Sequence, residues 1–143
     1  MKLPTFILSN QFGETIDSQS FIGKPVVIFF YPKDDTPGCT LQACSFRDNI
    51  QDFEQLQAKV VGISADSINS HKRYAEKYQL SFDLLSDPGN KVRKLFGVPT
   101  NFLGLVPGRV TYIFNEEGEL IHTFNSQLGV KKHVEEALTA LAN

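Results

Sequence analysis

Two cysteines, Cys39 and Cys44, are the residues of this 143-residue chain whose type and spacing best suit chemistry. Four residues separate them, and Cys39 follows a loop dense in turn-forming residues at positions 32–38. A thiolate is a nucleophile and a metal ligand, and two neighbouring thiols can form a disulfide. The pair therefore predicts thiol chemistry, with nucleophilic attack, disulfide exchange and metal binding as the candidate forms.

The expected surroundings of Cys39 favour a reactive thiolate. Thr36 suits a helix N-cap and Pro37 suits the first helical position, which puts Cys39 at the third. Unpaired backbone N–H groups and the positive end of the helix dipole both stabilise a negative sulfur there. The preceding residues 26–31 are continuously apolar, as in a central strand, and sheets of this kind place their sites beyond the carboxyl ends of such strands.

The helix that follows is predicted over residues 37–57, and its periodicity sets the directions of the two cysteines. Four apolar residues lie on the same side as Cys39, namely Ala43, Phe46, Ile50 and Phe53. Cys39 should therefore face the sheet, whereas Cys44, about 140° around the helix, should face another way. Ideal geometry separates the two Cα atoms by roughly 8 to 9 Å, and a disulfide needs about 7 Å or less. Bonding between them requires the first turns of the helix to unwind.

Other interpretations of the cysteines are open on these observations. Either thiol could be an inert buried group, an alternative that is stronger for Cys44. A zinc pair is compatible with the spacing, but no second pair of Cys or His residues follows. The histidines His71, His122 and His133 are scattered and are expected at the surface or in satisfied positions.

Alternating strands and helices must position this site. Strands are predicted at residues 5–8, 15–17, 26–31, 59–64, 82–85, 109–114 and 119–124. Further helices are predicted at residues 67–78, 90–96 and 130–141, and residues 98–108 are expected to form a loop. The pattern predicts an α/β three-layer sandwich with a central mixed sheet, because a βαβ crossover gives parallel strands and a hairpin antiparallel ones. No boundary is visible, so residues 1–143 are expected to form one domain.

Composition excludes several classes of function. The chain carries 14 basic and 16 acidic residues, for a net charge of −2, so no nucleic-acid partner is expected. The longest wholly apolar run, residues 26–31, is too short for a membrane helix. No secretory or transit signal is visible at the N-terminus. We expect a bacterial cytoplasmic protein, or one from the soluble compartment of an organelle after loss of its transit peptide.

The residues around Cys39 resemble the peroxiredoxin family. Pro32, Thr36 and Cys39 stand in that family's pattern: proline, three residues, threonine, two residues, cysteine. Residues 43–48, 62–64, 84–87 and 96–99 resemble its bacterioferritin comigratory protein, or peroxiredoxin Q, group. The resemblance covers nearly the whole chain. It implies a thioredoxin-like fold and a thiol peroxidase that needs no metal, flavin or haem.

The same resemblance implies roles for five residues. Cys39 matches the peroxidatic cysteine, and Cys44 matches the resolving cysteine of members that carry one in the same helix. The hydroxyl of Thr36 would hydrogen-bond the peroxide and the sulfur, and Pro32 would shield the site. Arg109 would stabilise the thiolate and orient the peroxide; it opens a strand expected to run antiparallel to residues 26–31, which brings it near Cys39.

A catalytic cycle follows from these roles. A hydroperoxide oxidises Cys39 to a sulfenic acid, Cys44 condenses with it to an intramolecular disulfide, and thioredoxin or a similar dithiol reduces the disulfide. A monomer suffices, because both cysteines lie on one chain. Arg47 could tune Cys44 or form a surface ion pair, and Leu41 could belong to a docking patch for the reductase. A peroxide sensor or thiol–disulfide relay is one alternative, and a chaperone-like or zinc-holding binding module is another.

Overall fold

A mixed sheet forms the middle layer of the structure, a computed structural model that describes residues 1–101 and 106–143. Its seven strands are β1 (Ile7–Ser9), β2 (Thr15–Asp17), β3 (Val26–Phe30), β4 (Lys59–Ser64), β5 (Asp83–Ser86), β8 (Val110–Phe114) and β9 (Leu120–Asn125), while β6 (Thr100–Asn101) and β7 (Val106–Pro107) pair separately. The order across the sheet is β2-β1-β5-β4-β3-β8-β9. Strands β3, β4 and β5 are parallel, and β8 runs antiparallel to β3.

In the described part of the chain, five α-helices flank the sheet. They are α1 (Pro37–Asp48), α2 (Ile50–Gln55), α3 (Ile68–Tyr78), α4 (Lys91–Phe96) and α5 (Lys132–Ala142), with short 3-10 turns at Ser18–Phe21 and Pro88–Asn90. None of those described has both the length and the apolar character needed to cross a bilayer.

Strand β3 divides the core into two layers. All five of its residues are buried, and successive side chains enter opposite faces, as a pleated strand requires. Val27 and Phe29 pack in a cluster with residues of α1, α2, α3 and α5. Ile28 and Phe30 pack in a second cluster with α4 and the N-terminal segment. Burial on both faces explains why β3 reads as a continuous apolar run rather than an alternating one.

The predicted α/β sandwich with a central mixed sheet is confirmed. One helix prediction was wrong: residues 37–57 form two helices, because the chain breaks at Asn49, with φ −108 and ψ 12. The Asn49 side chain donates to the Ser45 carbonyl at 2.8 Å, a local bond that competes with the helical pattern. Most other element ends differ from prediction by one or two residues, the usual uncertainty of helix and strand ends.

The predicted loop at residues 98–108 also needs correction. Strands β6 and β7 lie within it and pair antiparallel, and residues 102–105 fall outside the described part of the chain. Two-residue strands leave no alternation to detect, so the sequence pattern could not indicate them.

Candidate active site

The structure places Cys39 at the third residue of α1, the position predicted from the sequence. Thr36 is the N-cap, with extended backbone angles of −96° and 153°, and its side chain makes no capping bond. The first-turn N–H groups of α1 therefore receive no acceptor from Thr36 and remain available to an anion at the helix start. The Cys39 side chain is 2% exposed and lies in the core cluster with Ala43 and Phe46, so the inward direction is as predicted.

Arg109 reaches the same helix start from the sheet. It immediately precedes β8 and is buried. Its Nη1 atom donates to Oε1 of Gln42 at 2.6 Å, and its Nε atom donates to the Gln127 carbonyl at 3.2 Å. A Cβ atom placed on Gly38 would lie 3.2 Å from Nη2 of Arg109. The absence of a side chain at Gly38 thus lets the guanidinium approach the backbone beside Cys39.

Gln42 is a site residue that the sequence reasoning missed. It lies three residues after Cys39 and is completely buried. Its Oε1 atom holds Arg109, while its Nε2 atom has no hydrogen-bond partner among the described residues. A buried unpaired amide donor is costly, so this side chain serves the arginine at some expense in stability. The one feature of the sequence that could have identified Gln42 is that a long polar residue lies on the same side of the predicted helix as the apolar residues.

Thr36 differs from the role that the resemblance implies. Its hydroxyl donates to the Lys33 carbonyl at 2.9 Å, and a hydroxyl has one hydrogen to donate. In this arrangement the Thr36 oxygen can accept a hydrogen bond from a peroxide O–H, but it cannot also donate one to the sulfur. Pro32 is half-buried and begins the loop where β3 has ended.

A buried hydrogen-bonded pair, Asp34 and His71, anchors the loop of residues 32–38. Asp34 accepts hydrogen bonds from the Tyr31 hydroxyl at 2.6 Å, the Ser70 hydroxyl at 2.8 Å and Nδ1 of His71 at 2.7 Å. The other ring nitrogen of His71 faces the Leu85 carbonyl at 3.1 Å. Both ring nitrogens thus lie within hydrogen-bond distance of an oxygen atom, which holds the ring in one orientation beside the Asp34 carboxyl group. Burial, reinforced by this carboxylate, raises the pKa of Tyr31.

His71 in this anchor meets the expectation for the histidines only in part. His71 is satisfied, as expected, but its part in holding the loop was not foreseen. The ligand atoms of Asp34, Asp66 and His71 lie within 4.8 Å of one another. The backbone N–H of Asp34 donates to Asp66 at 2.8 Å. Since hydrogen bonds already join Asp34 to Asp66 and to His71, the arrangement favours a hydrogen-bond network over a cation site.

Cys44 lies on the same unbroken helix as Cys39, and both thiols are unbonded. It is only partly buried, so it faces a different environment from Cys39, as predicted. Arg47, three residues on, bonds both Asp48, at 2.9 Å, and the Tyr78 carbonyl, at 2.7 Å. The Asp48 bond is the main cause of the raised pKa of Arg47, and the charge of Cys44 adds to it. Arg47 is thus an ion-pair residue within electrostatic reach of the second thiol.

Comparison with known proteins adds an independent line of evidence. A model of the AhpC/TSA family matches residues 1–123. The chain is 51% identical over 138 residues to the chloroplastic peroxiredoxin Q of Sedum lineare, covering 96% of this chain and 74% of that protein. It is 50% identical over 138 residues to the chloroplastic peroxiredoxin Q of Populus jackii, of which it covers 65%. The chain thus spans slightly less than two thirds of the length of some of these relatives.

Solved structures agree with this match. The peroxidoxin BcpB of Mycobacterium tuberculosis superposes with a TM-score of 0.91 at 32% identity, covering 99% of this chain and 94% of that one. The bacterioferritin comigratory protein of Xanthomonas campestris, described by its alkyl peroxide reduction activity, gives 0.87 at 29% identity and covers 96% and 90% of the two chains. Both similarities support the thioredoxin-like fold implied by the sequence resemblance.

Proposed function

Because this chain belongs to the AhpC/TSA family, in its peroxiredoxin Q branch, we propose that it is a thiol-dependent peroxidase. Its substrates are hydrogen peroxide and organic hydroperoxides, and Cys39 is the residue that they oxidise. One observation carries the proposal: Cys39 lies at a helix start whose N-cap residue, Thr36, makes no side-chain capping bond, and the buried guanidinium of Arg109 lies close to Gly38 beside it.

The first step is attack of the Cys39 thiolate on one peroxide oxygen. A sulfur–oxygen bond forms as the O–O bond breaks, and the second oxygen leaves as hydroxide or alkoxide and takes up a proton. The sulfur is oxidised to a sulfenic acid and the peroxide is reduced. Negative charge grows on the leaving oxygen, so fixed donors lower the barrier. The helix N–H groups and Arg109 are the donors that lie at this helix start, and the Thr36 oxygen would accept from the peroxide O–H.

The second step joins the two cysteines. The sulfur of Cys44 attacks the sulfenic sulfur, and water leaves as the disulfide forms. Ideal helix geometry keeps the two Cα atoms too far apart for this bond, so α1 must unwind locally first. A dithiol reductant of the thioredoxin type then reduces the disulfide by exchange. One chain completes the cycle, because both cysteines lie on it.

The chloroplastic relatives support a soluble organellar compartment for this protein, as an alternative to a bacterial cytoplasm.

Free-thiol counting and intact mass after one equivalent of hydrogen peroxide test this proposal. Wild type should lose both thiols with a mass decrease of about two hydrogens, as an internal disulfide requires. Cys44→Ser should give a trappable sulfenic acid, and Cys39→Ser should remain inert. Oxidation of Cys39 no faster than that of free cysteine would refute the proposal. A sulfenic acid formed at Cys44 in Cys39→Ser would show that Cys44 is the residue that attacks the peroxide and Cys39 the one that resolves it.

A further inference from the structure

We infer that Arg93 is a positioning residue for the peroxide reaction: it holds together the peptide groups that precede Pro32 and Arg109. The inference rests on the proposed function, since both residues belong to the proposed site. Arg93 lies on α4, on the opposite face of the sheet from α1, and the resemblance to known proteins assigned it no role.

The Arg93 guanidinium donates hydrogen bonds to two backbone carbonyl groups. Its Nη1 atom donates to the Gly108 carbonyl at 2.6 Å, and its Nη2 atom donates to the Tyr31 carbonyl at 2.9 Å. Each of these carbonyls belongs to the peptide bond that leads directly into a proposed site residue. One rigid guanidinium therefore sets the spacing between the loop that carries Pro32 and the strand that carries Arg109.

The strand pairing explains why a side chain is needed at this point. The ladder between β3 and β8 ends at the pair of Phe30 and Val110. Two residues further on, the register would place Pro32 opposite Gly108. Proline has no N–H to donate, so the Gly108 carbonyl would lose its ladder partner. Nη1 of Arg93 supplies that donor and continues the connection beyond the end of the sheet.

The position of Gly108 is also restricted from its other side. A Cβ atom at Gly108 would collide with the carbonyl oxygen of Pro99, so the backbone there packs directly on another backbone segment. Between that contact and Arg93, the peptide that begins Arg109 has little freedom to shift. A displacement would carry the Arg109 guanidinium away from the helix start.

The electrostatics argue against a merely space-filling role. Arg93 is 5% exposed, and among the described residues its Nε atom has no hydrogen-bond partner and no carboxylate forms a direct ion pair with it. Its guanidinium lies over the ring of Phe30 at 5.5 Å. Burial lowers the pKa of Arg93, whereas the charges of Asp87, Tyr112 and Cys39, in decreasing order, act in the opposite direction. A buried guanidinium that forms no direct ion pair is costly, so its two hydrogen bonds to the Gly108 and Tyr31 carbonyls are the contacts that explain its burial.

A double-mutant cycle tests the inference on the full chain. Arg93→Lys keeps the charge but cannot bridge two carbonyls as a planar fork does. Stopped-flow oxidation of the reduced protein by hydrogen peroxide should be about 10-fold slower in Arg93→Lys, as expected for a small misplacement of reacting groups. In an Arg109→Lys background, the same change should cost less than about threefold, because Arg93 acts through a residue already removed.

A matched control and a second variant complete the design. Arg73 is exposed on α3, and Arg73→Met should oxidise at the wild-type rate. Arg93→Met removes both contacts and should be slower than Arg93→Lys, with circular dichroism confirming that each variant is folded. A wild-type rate in folded Arg93→Lys overturns the inference, and so does full additivity with Arg109→Lys.

Failure to fold is also informative. If neither Arg93 variant folds, Arg93 supports the fold as a whole and the positioning role is wrong. If Cys39 of wild type is oxidised no faster than free cysteine, the proposed function is wrong, and the inference about Arg93 is wrong as well. Fast wild-type oxidation with unaffected variants overturns the inference alone.

Discussion

The position of Arg109 beside the start of α1 is held by Gln42, a residue of the same helix. Its Nη1 atom donates to Gln42, and Gln42 lies between Cys39 and Cys44 along α1. Unwinding of this segment to form the disulfide should separate the two side chains. The orientation of Arg109 towards the helix start is therefore tied to the folded form of α1, which is the form that the proposed attack on peroxide requires.

Replacing Gln42 should slow peroxide reduction without unfolding the protein. Gln42→Met conserves volume but removes the acceptor of a short charge-assisted hydrogen bond, a contact of roughly 1.5–3 kcal/mol. We expect the rate of Cys39 oxidation to fall about 3- to 30-fold, because Arg109 is no longer fixed. Stopped-flow oxidation measures this rate.

Stability supplies the control for this variant. Gln42→Met leaves Nη1 of Arg109 without its acceptor but also removes the unpaired buried Nε2 donor, so the free energy of unfolding should fall by less than the roughly 1.5–3 kcal/mol of the lost bond. Gln51, exposed on α2, offers the matched substitution, and Gln51→Met should leave the oxidation rate unchanged. Equal rates for Gln42→Met and wild type would show that Arg109 keeps its position without this bond.

At the scale of the element, α1 must satisfy two conflicting demands. An intact first turn presents its N–H groups to the peroxide and to the oxygen on which negative charge develops. Disulfide formation requires the same residues to leave helical geometry. The loop of residues 32–38 is held from outside the helix, through the buried pair of Asp34 and His71, so unwinding can proceed from a fixed starting point.

Proteolysis should report the unwinding. Phe46 is completely buried in α1, and chymotrypsin cleaves after it only when the segment opens. We expect cleavage after Phe46 to be markedly faster in the disulfide form than in the reduced form. Mass spectrometry of timed digests would identify the site.

The closing helix provides the internal comparison. Leu138 in α5 packs against the same core cluster but lies outside the helix that must unwind. Chymotrypsin cleavage after Leu138 should therefore be equally slow in both redox states. Equal protection of Phe46 in the reduced and oxidised forms would contradict local unwinding. Cleavage that accelerates at both sites would instead indicate general destabilisation of the oxidised chain.

At the scale of the whole molecule, a buried histidine links stability to pH. His133 lies in α5, where Nδ1 accepts a hydrogen bond from the Thr111 hydroxyl at 2.7 Å and Nε2 donates to the Ser126 carbonyl at 2.8 Å. Burial lowers its pKa to about 4, from 6.5 for the ordinary group, and the charge of Arg109 contributes. The folded protein therefore keeps this ring neutral where the unfolded chain would protonate it.

The sign of the pH effect follows from linkage. Between pH 6.5 and about 4 the unfolded chain binds more protons at His133, so stability falls as pH decreases through this window. The depressed pKa corresponds to a total loss of stability of about 3 kcal/mol, of which about 2 kcal/mol is reached by pH 5.

Urea unfolding of wild type and His133→Gln at pH 7 and pH 5 measures this loss. The variant should be less stable at pH 7 and should approach wild type at pH 5. A constant difference would contradict the assignment.

The sequence alone determined the location and kind of the candidate chemistry. Pro32, Thr36 and Cys39 are close along the chain, and a helix start is a local structure that capping preferences and proline can indicate. The direction of Cys39 followed from helical periodicity, and the layered sheet from the alternation of elements. These features depend on neighbours within a few residues, which a sequence displays directly.

Only the tertiary structure decided which distant side chains complete the site. Gln42 meets Arg109 from 67 residues away, Asp34 meets His71 from 37 residues away, and Arg93 reaches the Tyr31 carbonyl across 62 residues. Each contact depends on strand order, register and helix placement together, and no local pattern records that combination. The break at Asn49 was equally hidden, because a single side-chain bond to Ser45 competed with an otherwise helical sequence.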